Sequence, residues 1–109
     1  MSTVLANVSS VALGGRALLI EGPPGSGKSS LALALIDRGA VLVGDDGVTL
    51  EPRDGRLWAA PPPNIAGLIE VRNVGLVTLP TGSAPLALVL AGLLLATLGA
   101  VGLAREDAD

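Results

Sequence analysis

The sequence contains neither cysteine nor histidine, and each absence removes a class of chemistry. Without cysteine, disulfide scaffolds, thiolate metal sites and cysteine nucleophiles are excluded. Without histidine, the commonest general base and the commonest transition-metal ligand are missing. Carboxylates, lysine, arginine, hydroxyl groups and backbone amides remain for any chemistry. Such a set of ligands suits a hard, oxygen-preferring cation such as Mg²⁺.

Aromatic and basic residues are also scarce. Trp58 is the only aromatic residue, although 50% of the 109 residues are hydrophobic, so the core has to be aliphatic. This composition suits a single domain in which helices cover a buried sheet. Only 7 Lys and Arg residues stand against 10 Asp and Glu residues, and the basic residues do not cluster. A nucleic-acid partner is therefore not expected.

The two ends of the sequence bear on its cellular location. No basic segment precedes the first apolar stretch, so no secretory signal is predicted and the cytoplasm is the expected compartment. Residues 84–104 form an uncharged run of 21 residues, which is long enough to span a bilayer. Three interpretations of this run stay open: a buried strand with a core helix, which we favour, a membrane anchor, and a truncated or out-of-frame terminus.

The N-terminal half is predicted to form a hairpin followed by a βαβ unit. Apolar runs at Val8–Leu13 and Ala17–Ile20 flank Gly14-Gly15, a pair that suits a tight turn with positive φ. A helix is expected from Lys28 to Arg38, and Val41–Val43 is predicted to be a strand parallel to the one before the helix. Residues of the helix that recur at three- and four-residue spacing are Leu31, Ala34, Leu35 and Arg38.

The C-terminal half is predicted to be mostly strand. Runs at 48–51 and 57–60 flank Pro52-Arg53-Asp54-Gly55, which indicates a second hairpin. We interpret residues 65–77 as a loop followed by one strand. Ala87–Leu90 is expected to be a further buried strand.

The segment Gly22-Pro-Pro-Gly-Ser-Gly-Lys28-Ser29 matches the phosphate-binding pattern G-x-x-x-x-G-K-[ST] at every fixed position. The glycines let backbone N–H groups curl around phosphate oxygens, and the following helix adds its positive dipole end. Lys28 would neutralise the β- and γ-phosphates of ATP, and the Ser29 hydroxyl would bind Mg²⁺. A glycine-rich turn with a surface lysine is the alternative. The predicted nucleotide-binding residues are Gly22, Pro23, Pro24, Gly25, Ser26, Gly27, Lys28, Ser29 and Ser30.

Two acidic residues, Asp45 and Asp46, end the strand that follows the predicted helix. The carboxyl ends of parallel strands lie at the same edge of a sheet, so both are expected near the phosphate loop. One carboxylate would reach the metal and the other would accept a proton from an attacking hydroxyl group. The residues alone do not say which takes which role, and a solvated Asp-Asp-Gly turn is the alternative.

A third polar group lies in the predicted strand of the C-terminal half. Alternation along a strand puts Glu70 and Arg72 on the same face, where they would orient metal-bound water and stabilise transferred charge. From the residues alone, a surface ion pair is the favoured interpretation.

Three segments together resemble the catalytic domain of the HPr kinase/phosphorylase family, in its short form without the N-terminal domain. They are GPPGSGKS at Gly22–Ser29, VLVGDDGVTL at Val41–Leu50 and IEVRNVGL at Ile69–Leu76. The discriminating feature is an acidic pair that begins only 17 residues after the loop lysine. The resemblance implies an α/β fold with a P-loop βαβ core, hairpins and a sheet like that of HPr kinase and PEP carboxykinase.

By this resemblance, residues 1–90 form the kinase domain and residues 91–109 a divergent apolar tail. The implied activity is ATP- and Mg²⁺-dependent phosphorylation of a serine of the phosphocarrier protein HPr, with reversal by inorganic phosphate, in the regulation of carbohydrate metabolism. The catalytic residues it implies are Lys28, Asp45 and Asp46, and the metal ligands it implies are Ser29, Asp46 and Glu70. Asn7 stands where the family usually has histidine, and Asn73 where it usually has glycine. Reduced activity is expected if that histidine contributes to catalysis.

Two other functions stay open beside this one: a P-loop kinase for a small metabolite, and a nucleotide-binding remnant without turnover. Membrane attachment through residues 84–104 and assembly into oligomers also stay open.

Overall fold

The computed structural model describes residues 2–23, 25–63, 67–71 and 74–91, apart from the side chain of Glu70. Predictions for Pro24, Arg72, Asn73 and residues 92–109 lie outside this part of the chain. Within it, the secondary-structure elements are β1 (Thr3–Ala6), β2 (Val8–Leu13), β3 (Arg16–Glu21), α1 (Lys28–Asp37), β4 (Val41–Gly44), β5 (Gly47–Arg53), β6 (Arg56–Ala60), β7 (Leu68–Val71), β8 (Gly75–Thr78) and β9 (Ala84–Leu90).

Seven strands form one curled sheet in the order β1-β5-β6-β9-β3-β2-β4. Both β3 and β4 pair antiparallel with β2, which lies between them, so β3 and β4 run in the same direction. The predicted βαβ unit is therefore right in direction, but its two strands are not hydrogen-bonded neighbours. The short turn between β2 and β3 forces those two strands to pair, and β9 takes the other edge of β3.

Both predicted hairpins are present, and each closes through a two-residue turn. Gly14 and Gly15 have φ angles of 59° and 75°, and Asp54 and Gly55 have φ angles of 54° and 74°. Two consecutive positive φ angles give the turn whose twist matches a right-handed strand pair. The second turn is shorter than predicted because Pro52 lies within β5. Pro52 lies two residues beyond Leu50, which is the last β5 residue paired with β1. The N–H group that proline lacks therefore removes no hydrogen bond between β5 and β1.

The prediction of a loop and one strand over residues 65–77 is wrong. β7 and β8 pair antiparallel as a separate two-stranded sheet. The N–H of Val74 donates to the carbonyl oxygen of Val71 over 3.0 Å, and Gly75 has a φ angle of 104°, so the chain turns back within the segment.

β9 is longer and less buried than the predicted strand at Ala87–Leu90. It runs parallel to β3 and pairs with β6 only through Ala84 and Pro85. Beyond those two residues β9 extends past β6, so Leu88 and Val89 are exposed. Of the uncharged run 84–104, residues 84–90 are therefore strand, and residues 92–104 lie outside the described part. The described residues include no helix that is long and apolar enough to cross a membrane.

The aliphatic core lies on both faces of the sheet. One half of the sheet consists of β1, β5 and β6, and the other of β9, β3, β2 and β4. On one face, a single cluster contains residues from both halves: Val8, Ala17, Leu19, Val43, Val48, Ala59 and Ala84. On the other face, α1 covers Val11 and Ile20. Leu31 and Leu35 of α1 pack there as predicted, but Ala34 is exposed and Ala32 is buried instead. The buried face of α1 is therefore rotated about the helix axis relative to the predicted face, with Ala32 buried in place of Ala34.

Candidate functional site

The phosphate loop joins the carboxyl end of β3 to the first residue of α1. Gly25 and Gly27 have φ angles of 80° and 95°, which side chains rarely permit. The N–H of Ser26 donates to the carbonyl oxygen of Pro23 over 3.1 Å, and the N–H of Leu31 donates to that of Gly27 over 2.9 Å. The loop therefore curls tightly into the helix, as the sequence pattern predicts.

Lys28 is the first residue of α1 and is only 8% exposed. Its Nζ donates to the carbonyl oxygens of Gly22 and Pro23, at 2.6 Å and 3.1 Å. Both acceptors are neutral, and no carboxylate of the described residues forms a salt bridge with this ammonium group. A buried ammonium group without a counter-ion is unfavourable, so the loop favours an incoming anion.

Ser29 and Asp45 bring the phosphate loop and the acidic pair together. The Ser29 hydroxyl donates to Asp45 Oδ1 over 2.8 Å. The same oxygen accepts a hydrogen bond of 2.7 Å from the hydroxyl of Ser9 in β2. Because β3 and β4 end at the same edge of the sheet, the expected proximity of loop and acidic pair is present. The solvated-turn alternative does not fit Asp45, which is half-buried and doubly hydrogen-bonded.

Asp46 differs from its neighbour in exposure and backbone conformation. It is exposed and has a φ angle of 63°, a conformation that Asp tolerates better than most residues. Its carbonyl oxygen accepts a hydrogen bond of 3.0 Å from the N–H of Asn7, which also has a positive φ angle of 61°. Asn7 connects β1 to β2, and the acidic pair connects β4 to β5. Two crossings between the halves of the sheet therefore meet beside the phosphate loop.

Two glycines flank the acidic pair and allow a close turn. A methyl group on Gly44 would overlap the carbonyl oxygen of Gly47 and would lie 3.2 Å from Cδ of Pro62. Pro62 is buried, and a methyl group on Gly47 would lie 3.6 Å from its Cβ, so Pro62 packs beside both glycines of the turn. The position of Asp45 and Asp46 therefore depends on the absence of a side chain at Gly44.

The metal ligands predicted from sequence are only partly brought together. Ser29 lies against Asp45 rather than Asp46, and β7 holds the backbone of Glu70 in register with Leu76. The described residues contain no cluster of three or more carboxylates that would hold a metal alone. Mg²⁺ commonly uses one or two carboxylates together with substrate phosphates, and the pair Ser29 and Asp45 fits that pattern.

Ser9 is a site residue that the sequence interpretation missed. It is 1% exposed, within a strand whose other residues are mostly apolar. Two adjacent serines in a buried strand were an available signal, because a buried hydroxyl group needs a hydrogen-bond partner. The signal does not name that partner, which lies 36 residues away along the chain.

Comparison with known proteins bears on this site directly. The family model described as "HPr Serine kinase C-terminal domain" matches residues 2–82. A protein named HPr kinase/phosphorylase from Clostridium tetani is 42% identical over 67 residues, which are 62% of this chain and 22% of the relative. One of the same name from Streptococcus thermophilus is 44% identical over 64 residues, 58% of this chain and 21% of the relative. The chain spans about a fifth of the length of these relatives.

A solved structure has the same fold. The Hpr(Ser) kinase/phosphatase of Coxiella burnetii superposes with a TM-score of 0.71 and 28% sequence identity, over 82% of this chain and 58% of that chain. The matched residues include the phosphate loop, the acidic pair and β7 with β8. The chain therefore belongs to the HPr Serine kinase C-terminal domain family.

Proposed function

We propose that this chain is an ATP- and Mg²⁺-dependent serine kinase that phosphorylates HPr and, with inorganic phosphate, reverses the modification. Relatives named HPr kinase/phosphorylase support the reaction class. The observation that carries the proposal is the contact between Ser29 of the phosphate loop and Asp45 of the acidic pair. It joins the two parts that a phosphoryl-transfer site requires, an anion cradle and a carboxylate for the metal.

The loop offers polar groups that an anion would satisfy. The ammonium group of Lys28 is buried against neutral carbonyl oxygens. The hydroxyl oxygen of Ser26 is buried without a hydrogen-bond partner among the described residues. A phosphate group supplies both a counter-charge for Lys28 and an acceptor for Ser26. Since buried polar groups are rarely left unpaired, these residues fit the triphosphate of ATP.

The metal assignment follows from position. Asp45 lies within hydrogen-bonding distance of Ser29, whereas Asp46 is exposed, so we assign the metal to Ser29 and Asp45. This differs from the ligand set Ser29, Asp46 and Glu70 predicted from sequence, in which the roles of the two aspartates were open. Mg²⁺, when bound, supplies positive charge that stabilises the negative charge of the transferred phosphoryl group.

Asp46 is then the candidate base. Its side chain is exposed at the edge of the loop, where a serine of a protein substrate has access. Asp46 accepts the proton of the serine hydroxyl while the serine oxygen forms a bond to the γ-phosphorus of ATP. The bond between that phosphorus and the β–γ bridging oxygen breaks, and ADP leaves with the bridging oxygen. The substrates in this proposal are ATP and HPr, which the enzyme would meet in the cytoplasm, the compartment expected from the sequence.

The test is transfer of radiolabelled γ-phosphate from ATP to purified HPr. We expect labelled HPr with the native chain and none with Lys28→Ala, because the latter removes the buried charge that binds the phosphates. Arg16→Ala is the matched control. It also removes one positive charge, but at the exposed start of β3, the end opposite the loop. Labelling of a sugar or nucleotide, or ATP binding without transfer to any acceptor, would contradict the proposal.

A further inference from the structure

Ser9 forms a hydrogen bond to the acidic pair, although it belongs neither to that pair nor to the nucleotide-binding loop. Its hydroxyl group donates a hydrogen bond of 2.7 Å to Oδ1 of Asp45. The same oxygen accepts the hydrogen bond of 2.8 Å from Ser29. One carboxylate oxygen therefore links β2, the connection after β4, and the first turn of α1. Ser9 is 1% exposed, so its hydroxyl serves this network and not the solvent.

The surroundings of Ser9 are otherwise aliphatic. Alternation along β2 puts Ser9 and Val11 on the face covered by α1, and Ser9 is in register with Ile20 of the same cluster. A hydroxyl group at this place loses its hydration, and a net stabilising effect requires a good partner. The carboxylate of Asp45 is that partner, and bonds to charged acceptors are stronger than neutral ones.

The register of β2 with β4 explains how Asp45 reaches Ser9. Ser10 pairs with Gly44 and Val11 pairs with Leu42, so β4 carries one extra residue at this point. Such an irregularity bends a strand and redirects the side chains that follow it. The carboxylate after β4 is thereby directed toward Ser9 and the start of α1.

We propose that Ser9 is a positioning residue for the metal ligand Asp45, an inference that rests on the proposed function. The hydrogen bond from Ser9 fixes Oδ1 beside the hydroxyl of Ser29, while the other carboxylate oxygen stays available. An ionised carboxylate offers about four acceptor sites, so two hydrogen bonds leave room for a metal. Groups that orient a metal ligand in this way affect metal affinity although they do not touch the metal.

Metal binding separates this role from simple packing. The probe is Mn²⁺ in place of Mg²⁺, titrated into the full chain with saturating ATP and followed by electron paramagnetic resonance. We expect Ser9→Ala to weaken Mn²⁺ binding by about 10-fold or more, as losses of such orienting groups do. ATP affinity measured with EDTA should change by less than about twofold, because Ser9 does not contact the phosphate loop. Ser9→Thr keeps the hydroxyl and should restore Mn²⁺ binding.

Ser10→Ala is the matched control. Ser10 is the next residue of β2, is fully buried, and donates to the carbonyl oxygen of Leu18 over 2.8 Å. It lies on the opposite face of the strand, so its loss should leave Mn²⁺ affinity unchanged. Thermal unfolding of each variant identifies the temperature range in which it is folded for the titration.

The outcomes separate the inference from the proposed function. If the native chain and Ser9→Ala bind Mn²⁺ equally well in the presence of ATP, the positioning role is overturned and the kinase proposal stays intact. If Ser9→Ala and Ser10→Ala weaken Mn²⁺ binding equally, the positioning role is also overturned, because the loss would then come from a general disturbance of β2. A native chain that binds no Mn²⁺ with ATP contradicts the proposed function and the inference together.

Discussion

The hydroxyl of Ser29 lies 2.8 Å from Oδ1 of Asp45, although the two residues are 16 positions apart in the chain. Ser29 belongs to the first turn of α1, and Asp45 directly follows β4. Two strands that run in the same direction, one before the loop and one before the acidic pair, produce this contact. The contact distinguishes the two aspartates. Asp45 faces the loop serine, and Asp46 is left exposed beside Asn7.

The two aspartates should therefore respond differently to removal of charge. Asp45→Asn and Asp46→Asn should each lower turnover by about 10²-fold or more, with ATP affinity within about tenfold of the native chain. Only Asp45→Asn should also raise the Mg²⁺ concentration needed for half-maximal rate, because Asp46 does not contact Ser29. Steady-state kinetics at varied Mg²⁺ measure both effects. Unchanged turnover in both variants would contradict a catalytic role and favour the alternative that the pair is a solvated turn.

Replacement of Asn7 tests whether its place beside Asp46 matters for catalysis. Asn7→His should raise turnover, and a gain of about 10-fold or more is the size expected for an added general acid or base. Histidine tolerates the positive φ angle of this position, so the backbone should keep its hydrogen bond to Asp46.

Asn7→Gly is the control for that variant, since it preserves the backbone freedom and removes the side chain. The rate of phosphate transfer should follow the order Asn7→His, native, Asn7→Gly. A histidine variant that folds normally and is no faster than the native chain would show that the position does not contribute to the reaction.

The turn that carries the acidic pair should not accept a side chain at its first glycine. Gly44→Ala should lower the free energy of unfolding by about 1–3 kcal/mol, because the new methyl group overlaps the Gly47 carbonyl oxygen. Turnover should fall as well, since relief of the overlap moves Asp45. Gly82→Ala is the matched control, because its methyl group would meet only a Val41 side chain at 3.3 Å. Equal unfolding midpoints in urea for the two variants would contradict the close turn.

The buried cluster between α1 and the sheet should contribute strongly to the free energy of unfolding, and it also holds the helix that follows the phosphate loop. Ile20→Ala should lower the free energy of unfolding by about 2–5 kcal/mol and Ile20→Val by about 0.5–1.5 kcal/mol, because Ile20 is fully buried there. Leu13→Ala, at an exposed end of β2, should change it by less than about 0.5 kcal/mol. Urea denaturation followed by circular dichroism measures all three. Similar losses for Ile20→Ala and Leu13→Ala would contradict this description of the core.

Local signals in the sequence predict much of the fold. Gly14-Gly15 and Asp54-Gly55 are pairs that readily adopt positive φ angles, so both hairpins could be predicted, although the length of the second turn could not. The helix and its start at Lys28 follow from the loop pattern and from the apolar spacing after it. The family resemblance of the three motifs is confirmed by the family model and the solved structure.

Long-range pairing could not be predicted in the same way. Nothing in the sequence of β3 or β4 states that β2 lies between them, because strand order depends on contacts distant along the chain. The same limit applies to the site. The nearness of loop and acidic pair followed from strand direction, but the identity of the aspartate beside Ser29 and the contribution of Ser9 depend on one irregular register. The β7–β8 hairpin was missed because its alternating polar residues resemble a single strand.

The most direct test is titration calorimetry of ATP into the purified chain, with Mg²⁺ and with EDTA. We predict saturable binding by the native chain that is tighter with Mg²⁺, loss of binding in Lys28→Ala, and loss of the Mg²⁺ effect alone in Ser29→Ala. Absence of saturable heat from the native chain with Mg²⁺ and ATP would contradict the claim that this loop and Asp45 form a nucleotide site.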